Sequence, residues 1–200
     1  TLGPANTGIG AVIEVNTSNQ PVVIYADRVS TTPQTIWQLT RIGGGAGSGC
    51  PVGTDADWTC EKVYSANIAD VWIGGAKIGF AYNSSNIAGV VFYTTGKQIM
   101  YATRTGGGAG TCTGASEWNC TVIHKQVTSG GDFTTMALAY DGTNPRVAFI
   151  DPSDNDMWYA TLSGSKWYIE AIDGCSSGCT NNVLVTNLGS AFRSGKFGIA

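Results

Sequence analysis

The chain has 200 residues, of which 12% are charged and 28 are glycine, and its formal net charge at pH 7 is −3. This length is ample for one sizeable hydrophobic core, while the many glycines and the lack of a long apolar pattern with a 3.6-residue period favour an all-β protein over a helical one. The sequence contains neither a basic stripe to neutralise phosphates nor a run of about eighteen apolar residues, so we expect no nucleic-acid partner and no membrane span.

The chain divides into five parts when it is read in order. Residues 1–9 contain one proline, two glycines and little to bury, which predicts an extended N-terminal arm. Residues 10–66, 67–127 and 128–179 each contain four short apolar runs rich in β-branched and aromatic residues, separated by turn residues. Residues 180–200 contain a connection and a last run that is similar to the first run of each unit. The sequence therefore predicts three repeated units and the beginning of a fourth.

The three units are related to one another run by run. Their second runs are PVVIYAD, AGVVFYT and PRVAFID, and their fourth runs all begin at a tryptophan, namely Trp58, Trp118 and Trp167. Four strands repeated at a period of roughly 40–60 residues are typical of β-propeller blades. We therefore predict an all-β fold of three four-stranded antiparallel propeller-type blades plus one orphan strand at residues 196–200.

The cysteines indicate the compartment. There are six, in three local pairs: Cys50 and Cys60, Cys112 and Cys120, Cys175 and Cys179. Six cysteines allow 15 pairings, but the first two pairs occupy the same place in successive units, which favours disulfides between local partners. Zinc binding is the alternative, although no Cys-x2-Cys spacing or nearby histidine supports it. Disulfides form in oxidising compartments, so we predict an extracellular or cell-surface protein.

No set of residues has the spacing of a catalytic site, and we predict no cofactor. The glycine-rich segments 43–47 and 106–110 lie between strands and do not continue into a Gly-Lys-Ser/Thr motif. We interpret them as hairpin loops and not as phosphate-binding loops. The single histidine, His124, is expected to face solvent at the polar end of an outer strand.

Three groups of residues are weaker candidates for binding or modification. The first group is a cluster of carboxylates that could bind a calcium ion or simply form a surface turn: Asp151, Asp154 and Asp156. Three sequons offer glycosylation sites: Asn16, Asn83 and Asn119. Three tryptophans are candidates for stacking on sugar rings, although they suit a core between blades equally well: Trp37, Trp72 and Trp158.

The turn before each fourth run resembles that of a known family. In secreted bacterial β-propellers of the sialidase-like, Asp-box (BNR) type, a Ser/Thr-x-Asp-x-Gly-x-x-Trp turn joins the third and fourth strands of a blade. The corresponding segments here are TDADW, GASEW and SGSKW, which keep the tryptophan but not the Asp-x-Gly core. The resemblance implies a propeller fold. Glycosidases of that family use an arginine cluster, a Tyr–Glu pair and an acid, whereas the arginines and glutamates here are scattered along the sequence, so we predict that the chain is not an enzyme.

The incomplete repeat leads to a prediction about function. Closed propellers have four to eight blades, and the unpaired edges and apolar faces of three blades tend to pair with other chains. We therefore predict an extracellular structural or adhesive module that assembles with copies of itself into a ring or filament. A carbohydrate-binding, lectin-like propeller with glycans as partners is the alternative, and a sialidase-like hydrolase fragment is a further one.

Overall fold

The structure is a computed structural model that describes residues 7–27, 34–66, 78–94, 96–125, 136–151, 156–172, 190–193 and 196–199. These residues form strands and the turns between them. They include no helix, and hence no helix long and apolar enough to cross a membrane.

Twelve of the strands form three four-stranded sheets. Sheet 1 consists of β1 (Thr7–Val15), β2 (Pro21–Asp27), β3 (Gln34–Arg41) and β4 (Trp58–Ala66). Sheet 2 consists of β5 (Gly79–Tyr82), β6 (Ala88–Thr94), β7 (Gln98–Arg104) and β8 (Trp118–Lys125). Sheet 3 consists of β9 (Met136–Asp141), β10 (Asn144–Asp151), β11 (Asp156–Ser163) and β12 (Lys166–Ala171). Every sheet is antiparallel with its strands in chain order, which confirms the predicted all-β class and the three four-stranded units.

The last strand is not an orphan, and that prediction is corrected. β14 (Lys196–Ile199) pairs antiparallel with β13 (Ser190–Arg193), and this two-stranded sheet lies against β9. β13 was missed because its four residues, SAFR, are too short to show a period of two. At the other end of the chain, β1 begins at Thr7, inside the segment predicted to be an extended arm.

The hydrophobic core lies between the sheets. On β6, Val90 and Phe92 belong to a cluster shared with sheet 1, whereas Val91 and Tyr93 belong to a cluster shared with sheet 3. Successive side chains point to opposite faces of a strand, so a strand covered on both faces is apolar along its whole length. All residues of β6 are buried for this reason. The sheets therefore pack in chain order, and the described residues form an open row rather than a closed ring.

Disulfides close the loops that precede the fourth strands of sheets 1 and 2. Cys50 is bonded to Cys60 and Cys112 to Cys120, with sequence separations of 10 and 8. These are the pairings that the repeat symmetry predicts. The third predicted pair, Cys175 and Cys179, lies outside the described residues.

The glycine-rich segments lie in the same loops. Gly106, Gly107 and Gly108 have φ angles of 67°, 79° and 74°, which residues other than glycine rarely adopt. The backbone N–H groups of Thr105 and Gly106 both donate to the carbonyl of Glu117, so the segment turns directly back towards β8. This geometry agrees with the interpretation of hairpin loops.

Candidate functional site

A cleft of about 800 Å³ opens between sheet 1 and sheet 2. Residues of β3 and β4 line one wall, and residues of β5, β7 and the β5–β6 turn line the other. The volume lies within the range of roughly 300–1,000 Å³ that is usual for small-molecule sites. We call this space the cleft.

An ion pair spans the cleft from one sheet to the other. Nε of Arg104 lies 3.0 and 3.1 Å from Oε1 and Oε2 of Glu61, and Nη2 lies 2.9 Å from Oε2. The hydrogen bond to Glu61 is the main cause that raises the pKa of Arg104, so the guanidinium stays charged. Of its five N–H groups, both on Nη1 and one on Nη2 remain for other acceptors.

The same carboxylate is also held by an indole. Nε1 of Trp118 donates a hydrogen bond of 2.5 Å to Oε1 of Glu61. The Trp118 side chain is 0% exposed and belongs to the core between sheets 1 and 2. Because two groups of sheet 2 hold Glu61 in place, the carboxylate is oriented before any ligand arrives.

The remaining polar lining consists of neutral amides and hydroxyls: Asn16, Gln38, Thr40, Thr59, Asn86, Thr103 and Thr105. Gln38 is 8% exposed, and its Oε1 is buried without a hydrogen-bond partner in the described part of the chain. A buried acceptor without a donor costs about 1–3 kcal/mol.

Three side chains give the cleft an apolar surface: Ile42, Tyr82 and Ile87. Burial is the main cause that raises the pKa of the Tyr82 phenol; Arg104 lowers this pKa and Glu14 raises it. The phenol therefore stays neutral near pH 7 and can both donate and accept a hydrogen bond. Polar groups thus surround a partly apolar wall.

The equivalent space between sheets 2 and 3 is built differently. Strand register places Leu162 where sheet 2 has Arg104, and Thr121 where sheet 1 has Glu61. Here Nε1 of Trp167 donates to Oγ1 of Thr121 at 3.1 Å, as Trp118 does to Glu61. The ion pair therefore belongs to the first interface, while the tryptophan hydrogen bond recurs in both.

Two buried tyrosines also separate the second interface from the first. Tyr101 has the register position of Gln38, and its hydroxyl lies 2.6 Å from the hydroxyl of Tyr140. Burial raises the pKa of both phenols. Tyr140 reaches over Gly89, where a Cβ atom would overlap its hydroxyl. The rings occupy space that remains open beside Gln38.

The tryptophans predicted for sugar stacking do not line the cleft. Trp37 lies on the face of sheet 1 that points away from sheet 2, with Nζ of Lys62 5.6 Å from its ring centroid. Trp158 packs against the core between sheets 2 and 3. Both tryptophans therefore have a packing role, which is the alternative that the sequence offered to sugar stacking. Trp72 lies outside the described residues.

The carboxylates predicted as a weak calcium candidate are partly engaged elsewhere. Oδ2 of Asp151 lies 2.8 Å from Nε2 of His124, and Asp156 is its register partner on the neighbouring strand. Asp154 lies outside the described residues, in which no group of three or more metal-binding side chains occurs. The calcium interpretation stays a prediction.

The expectation that His124 faces solvent is wrong. The His124 side chain is 23% exposed and that of Asp151 is 4% exposed. The imidazole ring stacks on Trp158 with an interplanar angle of 18°. Sheet 3 packs against the end of β8 and covers a residue that looks like the polar end of an outer strand in the sequence.

The three sequon asparagines use their side-chain oxygens to accept backbone hydrogen bonds. Oδ1 of Asn16 accepts from the backbone N–H of Ser18 and Gln20, and Oδ1 of Asn83 accepts from Ser85 and Ile87. Oδ1 of Asn119 accepts from the backbone N–H of Thr111. The bonds of Asn16 and Asn83 explain these two asparagines as turn caps, whereas Asn119 lies in β8 and its bond ties the preceding loop to that strand. Glycosylation of all three stays a prediction.

Sequence reasoning missed the pair at the centre of the cleft. The signal was present, because Trp-x-x-Glu occurs at residues 58–61 and 167–170, and the third strands of two units end in Arg41 and Arg104. The sequence does not say that an arginine of one unit meets a glutamate of the preceding unit. Only the packing of sheet 1 on sheet 2 does.

Comparison with known proteins gives a distant likeness to solved structures. No family model matches the sequence, and no curated protein is similar to it. Among solved structures, one similar chain is described as "Structure of a fucose lectin from Kordia zhangzhouensis in complex with methyl-fucoside". The two chains share 14% sequence identity with a TM-score of 0.48, and the match covers 82% of this chain and 100% of that chain.

Proposed function

We propose that the chain is a carbohydrate-binding module and that a sugar binds in the cleft, beside the ion pair of Glu61 and Arg104. The observation that carries this proposal is the oriented ion pair in an open cleft lined by neutral amides and hydroxyls. The proposal rests on the chemistry of the cleft and not on the distant likeness to a lectin.

Sugar hydroxyls suit the groups that the cleft presents. Adjacent hydroxyls of a sugar each donate and accept, so they can donate to Glu61 while they accept from the remaining N–H groups of Arg104. The C–H face of the ring would contact the wall formed by Tyr82 and Ile87. Because the opposite charges of the ion pair offset each other, an uncharged sugar fits better than an anionic one.

The same geometry supports binding over hydrolysis. Most glycosidases use two carboxyl groups that flank the scissile bond. Among the described residues that line the cleft, Glu61 is the single carboxylate, and it is paired with Arg104 and Trp118. We therefore infer a lectin-like role without catalysis. The two disulfides are consistent with an extracellular location, where glycans are abundant.

We also infer that the sheets are blades of a propeller. The three sheets pack face to face in chain order, and their first strands lie next to one another, β1 beside β5 and β5 beside β9. This arrangement and the resemblance to sialidase-like repeats support the inference of a propeller. Electron microscopy of the native particle would test it.

The experiment is glycan-array screening followed by calorimetric titration of the best uncharged sugar. The test variant is Arg104→Leu with Glu61→Thr, since the second interface has leucine and threonine at these register positions. We expect affinity to fall at least about 100-fold, because two or more charge-assisted hydrogen bonds of about 1.5–3 kcal/mol each are lost.

The matched control is Lys125→Leu, which removes an exposed charge at the opposite end of β8 from Trp118. It should bind like the unaltered chain. Circular dichroism shows whether each variant is folded. A chain that binds no glycan on the array, or a folded double variant with unaltered affinity, would refute the proposal.

A further inference from the structure

The two interfaces between sheets follow one rule. In each interface, a tryptophan at the start of the fourth strand of one sheet donates a hydrogen bond to a side chain of the preceding sheet. The accepting residue lies three positions after the tryptophan of that preceding sheet. Trp118 meets Glu61 in the first interface, and Trp167 meets Thr121 in the second. Sheets 1 and 3 stand at the two ends of the open row of described residues. The tryptophan of sheet 1 therefore faces no other four-stranded sheet, and neither does the residue of sheet 3 that lies three positions after its tryptophan.

Sheet 1 presents half of a cleft on its outer face. Arg41 pairs in register with Trp58 as Arg104 does with Trp118. Trp58 and Leu39 pack on the face of sheet 1 away from sheet 2, and the alternation of side chains places Arg41 on that face with Leu39. Arg41 is 56% exposed, and within the described part of the chain its ion pair is a 3.8 Å contact with Asp57.

The indole of this half lacks the bond that its two counterparts make. Nε1 of Trp118 and of Trp167 each donate to a side chain of the preceding sheet. Nε1 of Trp58 makes no hydrogen bond with a described residue, and Trp58 is half-buried. Sheet 1 therefore offers a charged guanidinium and an indole donor outward.

Sheet 3 presents the complementary half. Glu170 lies three positions after Trp167, as Glu61 lies three positions after Trp58. Trp167 and Ile169 pack against the core shared with sheet 2, so Tyr168 and Glu170 point to the opposite face. Glu170 is exposed, and Tyr168 is 57% exposed. The β13–β14 sheet lies against β9, while Glu170 is on β12 at the other edge of sheet 3.

We propose that a second copy of this chain completes the cleft: the β3–β4 part of the outer face of sheet 1 docks on the β11–β12 part of the outer face of sheet 3 of the next copy, beside the β13–β14 sheet that lies against β9. Arg41 and Trp58 of one copy then meet Glu170 of the other in the arrangement that Arg104, Trp118 and Glu61 have within the chain. The occupant is a second copy because Arg41 and Glu170 carry opposite charges at matching register positions, on sheets that stand at opposite ends of the row. That the completed cleft binds a sugar rests on the proposed function; the association itself does not.

The test is a charge exchange measured by sedimentation velocity without any sugar. Arg41→Glu and Glu170→Arg should each weaken association at least about 30-fold, because each places like charges opposite one another in the contact. The double variant Arg41→Glu with Glu170→Arg should restore association, since the carboxylate introduced in one copy then faces the guanidinium introduced in the next and no unaltered Arg41–Glu170 contact is left. Both positions are exposed, so both variants are expected to fold, and circular dichroism checks this.

The controls separate this proposal from the proposed function. Arg104→Leu with Glu61→Thr should lose sugar binding within the chain and still associate. An unaltered chain that stays monomeric at the highest soluble concentration overturns the proposal, as does association that the single variants leave unchanged or that the double variant fails to restore. None of these results depends on whether the chain binds a glycan.

Discussion

The hydrogen bond between Trp118 and Glu61 leads to a stability prediction that can be worked from the structure. In Glu61→Ala, the fully buried indole loses its acceptor, and an unsatisfied buried donor costs about 1–3 kcal/mol. The lost ion pair adds about 0.5 kcal/mol or less, since Arg104 is 44% exposed and solvent screens it. We therefore expect the free energy of unfolding to fall by about 2 kcal/mol.

A second variant isolates the indole. Glu61→Thr removes the charge but supplies a hydroxyl, and Thr121 shows that a hydroxyl at this register position accepts from a tryptophan. This variant should lose only about 1 kcal/mol or less, because the donor regains a partner. The difference in the free energy of unfolding between the alanine and threonine variants measures the cost of leaving the buried N–H group of Trp118 without an acceptor.

Equilibrium unfolding in urea, followed by circular dichroism, measures both values. For a chain of this length, a loss of about 2 kcal/mol corresponds to a fall in Tm of about 4–8 °C. If the alanine variant loses less than about 0.5 kcal/mol, or as little as the threonine variant, water from the cleft reaches the indole and the argument from burial is wrong.

Two further predictions concern the cores. Gly89→Ala should lower the free energy of unfolding by about 1–3 kcal/mol because the methyl group overlaps the hydroxyl of Tyr140; adding Tyr140→Phe should recover part of the loss in a double-mutant cycle, and strictly additive losses would contradict this. Burial first and then Asp27 raise the pKa of Tyr25 from 10.0 to about 12. Since the folded state favours the neutral phenol, this contribution to stability is complete below about pH 10 and is lost as the pH rises to about 12. Urea unfolding across that interval should show a smaller decline for Tyr25→Phe, and an equal decline in both proteins would contradict the assignment.

The strands were predictable because their signals are local. β2, β6 and β9 begin and end where the apolar runs do, since alternation, β-branched residues and the flanking turn residues all act within a few positions. The two disulfides follow for the same reason, because their partners are separated by 10 and 8 positions. Internal repetition of the sequence reinforced each of these signals.

Contacts between units were not predictable in this way. Arg104 and Glu61 are 43 positions apart, and His124 and Asp151 are 27 positions apart. Nothing in the sequence fixes which face of one sheet meets which face of the next, so both pairs looked like isolated polar residues.

The sequence by itself determined three similar antiparallel sheets, since hydrogen bonds between neighbouring strands and tight turns depend on residues close along the chain. Tertiary structure alone decided that the repeated interfaces differ: Gln38 leaves open space beside an ion pair, whereas Tyr101 fills the equivalent position with a buried ring. Whether a cleft forms depends on the volumes and charges of the side chains that two sheets bring to their contact. These side chains meet only when the sheets pack.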